Sequence, residues 1–352
     1  IREIKYKINL ILPALVLTAS LGLTTVSCNG FLDEMPDNRT ELNTDQKIAK
    51  LLVSAYADVS PNELFELYSD NSDDSGPTYG YYKLSEQECY HWQDTKEEYQ
   101  DTPNSLWGGY YSAIAAANMA LNAIEEKGNP ASLDPQRGEA LVCRAYCHFM
   151  LANIFCNAYD THASQSLGVP YMEEVETTVS PRYERGTLEE VYRKVERDLL
   201  EGIDLISDDS YSVPKYHFTR KAAYAFAARF YLYYMKPDFS NCDRVIDFAT
   251  RVLGTNPADL LRNWEALGNL SVNGNVQADA YIASSNEANL LISSTVSNWG
   301  AIGSDYLIGP RYFHNQTLAT SETCLSSGLW GSSDYFYLKP FSTNGFVASI
   351  LR

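Results

Sequence analysis

Apolar residues recur at helical spacing in a succession of stretches separated by polar connections of uneven length. Ile48, Leu51, Leu52, Ala55, Tyr56 and Val59 share one face of the segment from Thr44 to Val59, with Asp45, Lys47, Lys50 and Asp58 opposite and Pro61 beyond. This predicts a first amphipathic helix. A longer stripe of Trp107, Tyr110, Tyr111, Ile114, Ala117, Leu121 and Ile124 predicts a second helix from about Pro103 to Lys127, stopped by Gly128. The next stretch, Asp134 to Asn157, organises the rest. From Ala140 to Cys156 its strongly polar side chains are Arg144, His148 and Asn153, so apolar surface wraps nearly the whole cylinder. Such a helix is covered on several sides, as in the middle layer of a helical stack. Asp134 is the expected N-cap and Pro135 the first helical residue. Arg144 and His148, four residues apart, share one polar strip. The short Asn-Pro connection before this helix places it antiparallel to its predecessor.

Three further helices follow from the same pattern. Thr187 and Glu190 form a capping box ahead of Val191, Val195, Leu199, Ile203 and Ile206. Thr219 opens a helix in which Ala222, Ala223, Ala225, Ala227 and Ala228 alternate with Phe226, Phe230, Tyr231 and Tyr234, and alanine stripes let helix axes approach closely. Ser240 is the expected cap of a shorter helix through Val245, Ile246, Ala249 and Leu253. Two long connections interrupt the series. Asn62 to Thr95 is rich in turn formers, acids and rings, and Ala158 to Gly186 contains Gly168-Val169-Pro170. Long loops in compact proteins are functional or disordered. Beyond Gly254 the helical period fades and Asn289 to Thr295 reads as extended. The expectation is a mainly α protein, a tetratricopeptide-like helical stack with long loops over 44–253 and a mixed, loop-rich, ligand-side part over 254–352.

Charge narrows the partners. The 352 residues carry 45 acidic against 27 basic side chains, a formal charge of −18, which argues against nucleic acid. Twenty-six tyrosines and five tryptophans supply many rings with a polar tip, suited to neutral ligands such as sugars. Arg2, Lys5 and Lys7 precede an apolar run from Ile8 to Leu23, then small residues and Cys28, which reads as an export signal over 1–27. An uncleaved anchor is the competing reading of that run. Thr25-Val26-Ser27-Cys28 resembles a bacterial lipobox, with Thr25 departing from its usual Leu or Val, and makes Cys28 the expected lipidation site. A polar leash over 28–43 then holds the folded body near a membrane. Of the remaining cysteines, Cys143, Cys147 and Cys156 sit on the buried helix, where thiols act as small hydrophobes. Neither a disulfide framework nor a zinc site is implied.

The chain resembles the SusD/RagB family of outer-membrane nutrient-binding lipoproteins from Cys28 to about Leu253. The resemblance rests on Cys28 with Phe31-Leu32-Asp33 and Pro36; on Trp107, Tyr110, Ile114, Ala117-Asn118 and Ile124; and on Gly138-Glu139-Ala140 with Arg144-Ala145-Tyr146 and Phe149. Gly168-Val169-Pro170 ahead of Arg182 and Tyr192 continues the order, as does Thr219-Lys221-Ala222-Ala223 with Ala228-Arg229 and Tyr231-Leu232-Tyr233. It implies a surface lipoprotein that binds glycans or oligopeptides and serves as a lid on a SusC-like TonB-dependent transporter. The family's C-terminal arginine-tyrosine and asparagine-proline motifs are not recognisable after Leu338, so a shortened member is expected.

No GxSxG, HExxH, Walker or GxGxxG signature is present, and a non-enzymatic role is expected. A surface glycoside hydrolase is the alternative, because carboxylate pairs have no fixed sequence spacing. No cofactor is expected. Asn71, Asp73 and Ser75 ahead of Gly76 invite comparison with a calcium loop, but Tyr82 stands where the closing Glu belongs. The ligand surface is placed on loop aromatics, since the helices need Trp107, Tyr110 and Phe149 for packing. Tyr79, Tyr81, Tyr82, Tyr90, His91 and Trp92 lie in a stretch without helical period, beside Asn71, Asp73 and Asp94. Sugar C–H faces lie on rings and hydroxyls bond to Asn or Asp. Trp92 either faces the ligand or plugs the stack. Trp299, Trp330 and Tyr335 are further candidates for the same surface.

Overall fold

In a computed structural model of the protein the described residues are 42–78, 83–178, 181–271, 276–297 and 311–313. Cys28 and residues 1–27, expected to be an export signal, lie outside them. Helix α1, Asp45–Leu51, is capped by Thr44, whose hydroxyl accepts the Lys47 N–H, and tightens into a 3-10 turn over Leu52–Ala55. It therefore ends short of the expected Val59. That residue instead forms an isolated parallel bridge with Val296, and its side chain fills the space where Gly109 has no Cβ.

The connection expected to be irregular contains two short helices, α2 (Asn62–Leu67) and α3 (Leu84–Tyr90). Between them Asp73–Asp74 forms strand β1. The polar composition that hid α3 is part of what builds it, because Glu86 accepts the Lys83 backbone N–H and Ser85, Glu86, Glu88 and Cys89 are all buried.

The long helices follow the sequence closely. They are α4 (Pro103–Glu126), α5 (Asp134–Phe155), α6 (Leu188–Leu205), α7 (Arg220–Tyr233) and α8 (Cys242–Leu253). Thr102, Thr187 and Thr219 each cap through the side chain, and Thr187 and Glu190 complete their reciprocal box. Two expected caps shift. Asp134 is already helical, with Leu133 as the cap, and Asn241 rather than Ser240 precedes α8. After α8 come two short helices, α9 (Trp264–Gly268) and α10 (Val276–Ile282), and strand β2 (Tyr312–Phe313), which pairs antiparallel with β1. Asn289 to Thr295, expected to be extended, joins no strand.

Helix α5 packs against both α4 and α6, and α7 pairs with α8. Its neighbours run antiparallel to it: Trp107 of α4 meets Phe155, Asn118 meets Arg144, and Asp198 of α6 meets Arg144 while Gly202 meets Gly138. The Gly138–Gly202 crossing brings two backbones together. A Cβ on Gly138 would stand 2.8 Å from the Gly202 carbonyl oxygen, and one on Gly202 would stand 2.7 Å from the Gly138 carbonyl oxygen. Ala145 and Phe149 are enclosed, Tyr110 is buried and Trp107 is half-buried against Tyr111 and Phe155, as expected for core rings. Among the described residues no helix is long and apolar enough to cross a membrane.

Candidate functional site

Tyr68 is the C-cap of α2, α3 ends at Tyr90, and the chain leaving α3 turns sharply. The Trp92 N–H bonds to the Cys89 carbonyl at 2.9 Å and the Gln93 N–H to the Glu88 carbonyl at 2.7 Å. This holds Trp92 at a φ of 57°, a left-handed conformation that costs a bulky residue roughly 1–3 kcal/mol. The turn lays the Trp92 indole on the Tyr68 ring, centroids 4.4 Å apart and planes 14° from parallel. Trp92 is nonetheless 72% exposed, so it does not plug the stack. One indole face is thus supported by a half-buried tyrosine while the side chain stands largely in solvent. Burial pushes the Tyr68 phenol up to about 12, with Cys89 adding to the effect, so the platform's polar tip stays neutral at ordinary pH.

The other candidates divide. His91, next to Trp92 in the chain, and Asn71 are both exposed. Tyr90 packs on the fully enclosed Tyr312 at 4.7 Å, so it is a supporting residue rather than an open surface. Asp73 lies in β1 opposite Phe313, and its Oδ1 accepts the Asp74 N–H. Asp74 is gripped through both oxygens by Arg311 at 2.6 and 2.7 Å, and that hydrogen bonding holds its carboxyl below the usual range. The same pairing brings residues 311–313 beside α2 and α3. Among the described residues no group of three or more His, Cys, Asp or Glu is placed to hold a metal ion. Tyr79, Tyr81, Tyr82, Trp299, Trp330 and Tyr335 lie outside the described residues.

Tyr68 was missed by sequence reasoning. It lies 24 positions before Trp92, and no spacing rule links two rings at the ends of separate short helices. A second arrangement was missed because its parts looked like one helix's polar strip. Arg144 donates to Asp198 at 2.6 Å, to Asn118 at 3.0 Å and to the Glu173 carbonyl at 3.4 Å. Tyr171 donates to Asp198 at 2.7 Å, and Asn118 donates to the Met172 and Glu174 carbonyls. His148 is enclosed, stacks on Tyr171 at 3.8 Å, accepts the Met172 N–H on Nε2 and bonds the Arg144 carbonyl through Nδ1. Burial pushes its pKa down to about 3, so the ring is neutral and Nδ1 carries the proton. The network ties the Pro170–Glu174 segment across α4, α5 and α6. Gly168 fits because a Cβ there would meet Val191 and the Thr187 carbonyl. Every partner is internal, so this is a clamp for the long connection rather than a site for a ligand.

The SusD-like profile described as "Starch-binding associating with outer membrane" matches residues 30–232. Among solved structures, a putative sugar binding protein from Bacteroides vulgatus is 21% identical, with a TM-score of 0.53 over 73% of this chain and 54% of its own. A SusD superfamily protein from the same species is 21% identical, with a TM-score of 0.48 over 68% and 50%. Surface glycan-binding protein A from Bacteroides uniformis is 19% identical, with a TM-score of 0.47 over 60% and 46%. The chain thus spans about half the length of these structures, and comparison with curated proteins finds no match. The profile covers well over half of the chain, through α7 almost to its end, and the helical stack agrees with it: the chain belongs to the SusD-like family.

Proposed function

We propose that the protein is a cell-surface lipoprotein that captures a glycan on the Tyr68–Trp92 platform and passes it to a TonB-dependent outer-membrane transporter. The observation that carries the reading is the exposed indole, held in a strained turn and backed by a second ring. Strained conformations persist where surrounding structure over-determines them, which is a property of ligand clamps. Sugar rings present C–H faces to such a surface, and millimolar affinity needs only about −4 kcal/mol, within reach of one or two stacked rings and a few hydrogen bonds. Family membership supports the saccharide class, the outer-membrane location and a binding rather than catalytic role. Cys28, the proposed lipidation site, tethers the body to the membrane.

The test is native gel electrophoresis of the purified protein through a panel of polysaccharides, with product analysis of the same mixtures. Retardation by at least one polysaccharide without product release is expected. Product release without a partner enzyme would replace capture by hydrolysis, and retardation by none of them, with binding of peptides instead, would remove the glycan.

A further inference from the structure

The first turn of α7 and the last turn of α8 line an open cleft of about 610 Å³ that shares no residue with the Tyr68–Trp92 pair. Its basic residues are Arg220, Lys221 and Arg251, and Tyr224 stands one turn along α7 from Arg220. Gly254 shapes the mouth. Its φ of 65° and ψ of −154° suit a residue without a side chain, and its N–H caps α8 on the Thr250 carbonyl at 2.8 Å. The chain then turns back, so that Leu253 and, from the 3-10 turn Pro257–Leu260, Leu260 add apolar wall to the same cleft.

The cations here are not consumed by the fold. Asp208 is the acid of this lining, and its Oδ1 is taken up by the Arg220 backbone N–H at 2.7 Å. The Arg220 guanidinium donates to the Ile206 carbonyl at 2.5 Å and, among the described residues, pairs with no carboxylate. The Lys221 ammonium is on a half-buried side chain and has no hydrogen-bond or ion-pair partner among them. Arg251 bonds Asp247 at 2.9 Å and lies 5.4 Å from the centre of the Tyr224 ring. The cleft thus offers two uncommitted cations, a third shared with one acid, and a tyrosine ring.

A cation partly withdrawn from water has lost hydration that an anion replaces, and apolar walls focus its field. The planar arginine fork matches a carboxylate, and a volume between roughly 300 and 1,000 Å³ is that of a small-molecule site. We infer that this cleft binds a uronic acid residue, its carboxylate held by Lys221 and Arg220 and its C–H face against Tyr224. That the carboxylate belongs to a sugar rests on the saccharide class proposed above; the cation-lined cleft does not.

Calorimetry of the full protein with trimers of galacturonic acid and of glucuronic acid, beside the same trimers with their carboxyls reduced to alcohols, tests this. Binding of at least one uronate trimer is expected, weakened at least about tenfold by carboxyl reduction and by Lys221→Met. Arg220→Gln should weaken it in the same sense, Lys221→Arg should retain it, and added salt should lower it. Should Lys221→Met melt below the wild type, Arg220→Gln still decides, because that side chain is exposed. Absence of binding by both uronates overturns the proposal, as does an affinity that both variants leave unchanged. Reduced trimers bound as tightly as the uronates would also overturn it, since the contact would then lie on sugar faces alone. Failure of every neutral glycan, with a uronate still bound and sensitive to Lys221→Met, would remove the platform and leave this site.

Discussion

The α4–α6 stack and the α2–α3 block solve the same problem, burying polar groups, in opposite ways. In the stack Arg144, Asp198, Asn118, Tyr171 and His148 satisfy one another and the backbone, and the ionised pair has a matched partner. In the block Glu63 and Glu86 are buried, and burial pushes both carboxyls up toward their neutral form. A fully connected polar network rigidifies, whereas a buried carboxyl held toward its neutral form makes stability depend on pH. The stack is thus expected to hold across neutral and alkaline pH, whereas the block that carries Tyr68 and Trp92 is expected to weaken as pH rises.

The comparison breaks most visibly if the stack is not closed. Ala145→Asp, at a fully enclosed position, is expected to prevent folding, since a lone buried carboxylate costs several kcal/mol against a total stability of about 5–15. Glu125→Ala, on the exposed face of α4, is the control and should leave the circular-dichroism melt unchanged. Next in size is the glycine crossing. Gly202→Ala drives a methyl against the Gly138 carbonyl and Val142, and a loss of about 2–3 kcal/mol in urea unfolding is expected from overpacking.

The two regions should also answer pH with opposite sign. His148, with its pKa lowered to about 3, gives stability that is present above its ordinary 6.5 and is lost as pH falls through that window, by up to about 1.4 kcal/mol per unit. Burial pushes Glu63 up to about 8, so its contribution is present below its ordinary 4.5 and is lost as pH rises toward 8; acid should therefore weaken the stack while it favours the block. Urea midpoints followed from pH 7 to pH 4 would show it, and His148→Gln should flatten that limb. The smallest effect concerns the strained turn: Trp92→Gly removes the left-handed penalty and should raise stability by about 1 kcal/mol relative to Trp92→Ala, read by thermal melts of the pair.

How much of this was legible beforehand follows from the length of the elements. Helices α4 to α7 announced themselves through stripes such as Trp107 to Ile124 and through Thr187 and Thr219, because long apolar periods and side-chain caps are local signals. Helix α3 gave none, since this seven-residue helix buries Ser85, Glu86 and Glu88, which read as solvent-facing. The site divided in the same way. Trp92 stood out as a ring among turn formers, but its support by Tyr68 and the use of Tyr90 against Tyr312 depend on contacts between segments far apart in the chain. Arg144 and His148 were seen as one strip, yet their partners Asp198 and Tyr171 come from elements that sequence period cannot pair.

The central claim is that a scaffold closed around α5 presents the Tyr68–Trp92 pair as its ligand surface. Calorimetry of Trp92→Ala with the best glycan of the panel, run beside a thermal melt of the same preparation, tests it most directly. The account predicts binding lost or weakened at least about tenfold, equivalent to 1.4 kcal/mol, with a melt no lower than that of the wild type. Affinity within error of the wild type, or a melt that collapses, would contradict it.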